Sequence, residues 1–127
     1  MIKIVTDSGI DIPVDAPKEI ADSITIVPLS FTIVGISHMD AGEDRLTTGE
    51  FLDLIEKSWP TTSAPSPESF AMVFREIVSK GDQVLCITIS GGLSATKEAA
   101  VIAARDFPYD VRVIDSKSVS LGMYYLV

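Results

Sequence analysis

Ser90-Gly91-Gly92-Leu93-Ser94 lies between an apolar run and an alanine-rich stretch. Two glycines let backbone N–H groups approach a ligand closely. A helix opening behind them adds unpaired N–H donors and a partial positive charge, so the turn suits an anion. Ser94 stands at the start of that helix, where its hydroxyl either donates to the anion or caps its own helix. Thr61-Thr62-Ser63-Ala64-Pro65-Ser66 offers a second group of hydroxyls, and it also reads as a turn followed by a helix cap. A single carboxylate is satisfied by two hydroxyls and a few backbone N–H groups. A di- or triphosphate asks for more positive charge than this turn carries, and the chain has no G-x-x-x-x-G-K-[ST].

Other chemistries fit less well. Gly92-Leu93-Ser94-Ala95-Thr96 has the place of a nucleophile elbow, but Thr96 stands where G-x-S-x-G closes on glycine. A serine nucleophile needs a base, and the one histidine, His38, precedes Ser94 in an acidic stretch. Asp7 and Asp115 could ligate a metal, yet neither has His or Cys close by, so both read as turn or cap residues. Cys86, inside an apolar run, reads as a small buried hydrophobe. No metal or cofactor is expected.

The elements that position these residues follow from periodicity. Ile2–Thr6 reads as a first strand and Ile24–Ile33 as a second, with Pro28 implying an edge or a bulge. Asp15 and Pro17 predict a short capped helix ending near Asp22. Val34–Asp44 reads as an exposed acidic excursion. Thr47-Thr48-Gly49-Glu50 matches a capping box, with Phe51, Leu54 and Ile55 on one helical face. Ser66-Pro67 opens a helix carrying Phe70, Val73, Phe74 and Ile77 on its apolar side, and Gly81 stops it. Val84–Ile89 is the continuous apolar run of a central parallel strand. Val111–Ile114 is a further strand. Leu121–Val127 reads as the start of a helix whose apolar face and carbonyls are left uncovered, so a fragment is expected. Strands alternating with helices imply an α/β domain: a parallel sheet with helices on both faces.

The chain has 127 residues, enough for one domain spanning 1–127. Ten basic against eighteen acidic residues give a net charge of −8, which argues against nucleic acid. The excess sits in residues 1–60, so the second half is the better host for an anion. One cysteine and no signal-peptide layout lead to the expectation of a cytoplasmic protein without a membrane span.

Several segments together resemble the N-terminal part of a DegV family protein. They are Val5-Thr6-Asp7-Ser8 with Asp11-Ile12-Pro13, then Val27-Pro28-Leu29. Thr62-Ser63-Ala64-Pro65-Ser66 resembles T-S-Q-P-S, with Ala64 in place of Gln. Ile89–Thr96 resembles I-S-S-G-L-S-G-T, departing at Gly91 and Ala95. Ile114-Asp115-Ser116-Lys117-Ser118-Val119-Ser120 with Gly122 matches V-I-D-S-K-S-V-S-x-G. The resemblance implies the first half of a two-domain fold that binds one long-chain fatty acid such as palmitate. It also implies a carrier rather than an enzyme, one that presents the acid to a separate fatty acid kinase. By motif the carboxylate contacts fall on Thr62 and Ser94, with Ser63 and Gly92 in secondary positions. Burying a C16-type tail is worth about 10 kcal/mol gross at about 0.8 kcal/mol per CH₂, so the head group selects for an acid more than it creates affinity. The alternative is an enzyme of phosphoryl or acyl transfer using the same crevice.

Overall fold

The computed structural model describes residues 1–43 and 45–127. Asp44, the last residue of the expected acidic excursion, lies outside the described residues. Four parallel strands form the main sheet in the order β2-β1-β6-β7: β1 (Ile2–Asp7), β2 (Ile24–Val27), β6 (Gln83–Thr88) and β7 (Val111–Asp115). Helix α3 (Pro67–Ser79) and helix α4 (Thr96–Ala104) pack against each other on one face. Alternation along the strands sends Val5, Cys86, Val84 and Val111 to that face, where they meet Phe70 and Phe74 of α3 and Ala100 and Ala103 of α4. On the other face, Met123 of the one-turn helix α5 (Leu121–Tyr124) is buried with Ile10 and Ile89. Helices therefore stand on both faces, as the alternation of strands and helices required.

Sequence signals explain the ends of α3. Ser66 accepts from the Ser69 N–H at 3.1 Å, Pro67 opens the helix, and Gly81 ends the turn behind it with a positive φ of 80°. The short α1 (Lys18–Ala21) has no side-chain cap. Asp15 does not perform the capping expected of it, because Pro17 occupies the cap position and leaves Asp15 outside.

The region between β2 and α3 differs from the sequence expectation. Ile24–Ile33 is two strands in two sheets, not one: β2 ends at Val27, and β3 (Ser30–Ile33) begins a small antiparallel sheet. Pro28 lies at the break, where its missing N–H cannot continue a ladder. The supposed excursion contains β4 (Ile36–Met39), hairpinned to β3 through Val34-Gly35 with φ of 51° and 76°. Positive φ at both central residues is what a type I′ turn demands. The hydroxyl loop contributes β5 (Thr61–Ser63), which pairs with β3 on its other side. Helix α2 (Thr48–Ile55) lies between β4 and β5 in sequence and has no buried residue. Its capping box is present: Thr47 Oγ1 accepts from the Glu50 N–H at 3.3 Å, and the Glu50 carboxylate accepts from the Thr47 N–H at 2.8 Å. Among the described residues no helix is long and apolar enough to cross a membrane.

Candidate functional site

The carboxyl ends of β1, β6 and β7 meet at one edge of the parallel sheet, the place where open α/β sheets gather ligands. Asp7 joins two of these ends. Its carboxylate is fully buried and accepts from the Ile89 N–H at 2.7 Å and the Gly9 N–H at 2.9 Å. Loss of water raises its pKa above the ordinary carboxylate value, and the two N–H bonds only partly oppose that rise. Gly9 must be glycine, because a Cβ there would stand 2.8 Å from Asp7 Oδ1 and 3.0 Å from Ile89. Asp115 joins the remaining end. Its Oδ1 accepts from the Lys117 N–H at 2.8 Å and the Gly91 N–H at 3.2 Å, bonds that hold its pKa below the ordinary value. Both aspartates are therefore turn residues, as their neighbourhood in the sequence implied.

The glycine turn differs in detail from the expectation. The Gly91 N–H is taken by Asp115, and the Gly92 N–H donates to Ser90 Oγ at 3.2 Å. The Leu93 and Ser94 N–H groups donate to the Ser90 carbonyl. Helix α4 begins at Thr96, two residues later than Ser94. Ser94 Oγ accepts from the Thr96 N–H at 3.3 Å and lies 2.8 Å from Thr96 Oγ1, a local turn ahead of the helix, whose N-cap position is Ala95 and has no side-chain cap. A hydroxyl in that position keeps its proton for an outside acceptor whenever Thr96 Oγ1 is the donor between them. The open donors are the N–H groups of Ala95, Lys97 and Glu98, which have no acceptor among the described residues. They belong to the helix start rather than to the glycines.

Thr62 comes from the other sheet. In the β3–β5 ladder it stands opposite Phe31, and in the β3–β4 ladder Phe31 stands opposite His38, so the three share one face. His38 stacks on Phe31 with ring centroids 5.3 Å apart. Strand alternation sends Ser63 to the opposite face from Thr62. Thr62 opens on a cavity of about 220 Å³ with Leu29, Phe31, Phe51 and Pro60. Phe31, Phe51 and Asp40 also wall a second cavity of about 350 Å³, which reaches Ile10 and Ile26 at the parallel sheet. Ser94 lines neither cavity, and no hydrogen bond among the described residues joins it to Thr62.

Asp40 stands between the two cavities. Loss of water raises its pKa, the Ser8 hydroxyl lowers it, Asp11 raises it further and Arg45 lowers it. Ser8 also accepts from the Leu29 N–H at 2.9 Å, which pins the chain where it leaves one sheet for the other. Cys86 is fully buried, and burial drives its thiol pKa far up, so it is no nucleophile. The meeting of Phe31, Phe51 and Asp40 carries no signal in the sequence, because the apolar face of α2 identifies Phe51 alone and the antiparallel pairing of three short strands is what places Phe31.

Comparison with known proteins bears on the family and the fold. A DegV domain-containing protein of Streptococcus pneumoniae is 39% identical over 128 residues, covering 99% of this chain and 44% of the relative. A solved fatty-acid-binding DegV family protein of Thermus thermophilus superposes with a TM-score of 0.81 at 40% identity, covering 98% of this chain and 45% of that one. A stearic-acid-binding protein of Eubacterium ventriosum superposes with a TM-score of 0.80 at 34% identity, covering 94% and 43%. The chain thus spans less than half the length of these relatives. The DegV family model matches residues 1–127, and the chain belongs to the DegV family.

Proposed function

We propose that this domain binds a long-chain fatty acid as a lipid carrier, its carboxylate on the hydroxyls of Thr62 and Ser94 and its tail in the cavities beneath α2. The observation that carries this reading is that Thr62 lines a cavity together with Leu29, Phe31 and Phe51. The open N–H groups at the start of α4 suit the same head group from the parallel-sheet side. Ser63 and Gly92 take secondary places. Ser63 shapes β5 from its other face, and Gly92 shapes the turn through its bond to Ser90. Presentation of the acid to a separate fatty acid kinase follows from the family resemblance, as does a carrier's lack of turnover. One buried cysteine fits a cytoplasmic setting.

Denaturing solvent extraction of the purified protein, followed by mass spectrometry, tests the reading. A stoichiometric fatty acid is expected. An empty extract together with failure to take up added palmitate overturns it, and hydrolysis of ATP or ester would favour the transferase alternative. Thr62→Ala and Ser94→Ala each remove one hydrogen bond to a charged group, about 1.5–3 kcal/mol, and weaken binding roughly ten- to hundredfold with the fold intact. Wild-type affinity in both variants refutes the site assignment.

A further inference from the structure

Behind β7, at the carboxyl edge of the parallel sheet, two non-glycine residues have positive φ: Lys117 at 52° and Ser120 at 60°. Ser120 combines that φ with a ψ of −134°, and the Gly122 N–H donates to the Val119 carbonyl at 3.2 Å. This is a type II′ turn with Ser120 at its first central position, where glycine is the rule. A serine held there costs backbone strain, and such strain persists only where surrounding contacts enforce it. Helix α5 gives no reason for the serine, because Ser120 stands at its N-cap yet makes no side-chain capping bond. The hydroxyl donates instead to the Asp11 carboxylate, and the Ser120 N–H donates to the Gly9 carbonyl at 2.8 Å. Gly122 leaves the turn no slack, since a Cβ there would collide with Ser118 Oγ.

What this enforced geometry fixes lies at the other end of the loop. The Ser118 carbonyl accepts from the Ser90 N–H at 2.9 Å, and the Ser116 N–H donates to the Thr88 carbonyl at 3.0 Å. With the bond from the Gly91 N–H to Asp115, residues 115–118 hold the first two N–H groups of the glycine turn. The loop is thus a strut, tied to the chain behind β1 at Ser120 and to the glycine turn at Ser118. Resting on the fatty-acid reading above for its effect on binding, we infer that Ser120 is a positioning residue for the glycine turn. Its hydroxyl bond to Asp11 fixes the strut, and the strut sets where Ser94 and the open N–H groups of α4 meet the carboxylate. Ser120 acts through the turn and not by contact with the acid.

The intact wild-type chain is compared with Ser120→Gly, Ser120→Ala, Asp11→Asn and Asp11→Ala by thermal melting, amide hydrogen exchange at Ser90 and calorimetric titration with palmitate. Ser120→Gly should melt above Ser120→Ala, because glycine takes the positive φ without strain. Palmitate affinity should rank the other way, Ser120→Ala above Ser120→Gly, because glycine also loosens the strut. Both variants should bind more weakly than wild type, with exchange at Ser90 raised about two- to tenfold, the worth of one hydrogen bond. Asp11→Asn keeps an acceptor and should lie between wild type and Asp11→Ala. A merely structural serine would move affinity together with melting temperature. That ranking, or unchanged exchange at Ser90 in both Ser120 variants, overturns the proposal. Should Ser120→Ala fail to fold, Ser120→Gly and the Asp11 pair decide by the exchange at Ser90. A wild-type chain that takes up no palmitate overturns the fatty-acid reading instead, and exchange at Ser90 then decides the role of Ser120 by itself.

Discussion

Replacing Asp7 by Asn tests how the carboxyl edge of the parallel sheet is held. The wild-type carboxylate accepts from two buried N–H groups, Gly9 at 2.9 Å and Ile89 at 2.7 Å. Asparagine keeps one acceptor oxygen but turns an NH₂ toward the other donor. One buried N–H is then unpaired, at a cost of about 1–3 kcal/mol, and a bond to a charged acceptor worth about 1.5–3 kcal/mol is lost. Removing a carboxylate that burial destabilises returns part of this, so the net loss should be about 1–3 kcal/mol. The pH dependence has a definite sign. Asp7 has a raised pKa, so between 3.8 and its folded value the native state binds more protons than the unfolded chain. Its contribution to stability is then greatest below pH 3.8 and falls as pH rises through that window. The cost of Asp7→Asn should accordingly be larger in acid than at neutral pH. Urea denaturation of both proteins, followed by far-UV circular dichroism at pH 4 and pH 7, measures it. A cost below about 0.5 kcal/mol at both pH values, or one that grows toward neutrality, refutes the reasoning.

Further outcomes follow from other positions. Val34 is exposed and β-branched, with φ of 51° in the hairpin turn, a conformation that Asn tolerates. Val34→Asn should add about 0.5–1 kcal/mol of stability, read as a raised Tm, and an unchanged or lowered Tm contradicts the turn assignment. Phe74 is fully buried between Phe70 and Phe107, with ring centroids 5.9 and 6.3 Å away. Phe74→Ala should cost about 3–5 kcal/mol in the same urea assay, and a cost near 1 kcal/mol would mean that α3 does not close the main core.

The parallel sheet was legible because its strands are short apolar runs, such as Val84–Ile89, and because Ser66-Pro67 and Gly81 mark the limits of α3. The small sheet was not. Ile36-Ser37-His38-Met39 and Thr61-Thr62-Ser63 lack the alternation or the length that identifies a strand alone, and only pairing with Phe31's strand makes them one. At the site, the same limit appears as a difference between identity and surroundings. Thr62 and Ser94, the hydroxyls proposed for the head group, follow from the family resemblance, while their local sequence reads equally as turn and cap. The cavities around Phe31 and Phe51 depend on contacts across dozens of residues. The glycine turn differs again: its sequence reads as a donor-rich loop, while its own N–H groups are consumed by Asp115 and Ser90.

The break at Pro28-Leu29 divides the labour of this domain. Among the described residues neither core cluster draws on positions 28–66, so the small sheet and α2 contribute little to what keeps the parallel sheet folded. Such a segment can open on its own, with backbone amides exchanging far faster than those of β1 and β6, while the rest stays native. The same independence bears on divergence among homologous chains. Residues of the small sheet and α2 can change without cost to the main core, so a lineage can reshape this segment and leave its global stability where it was.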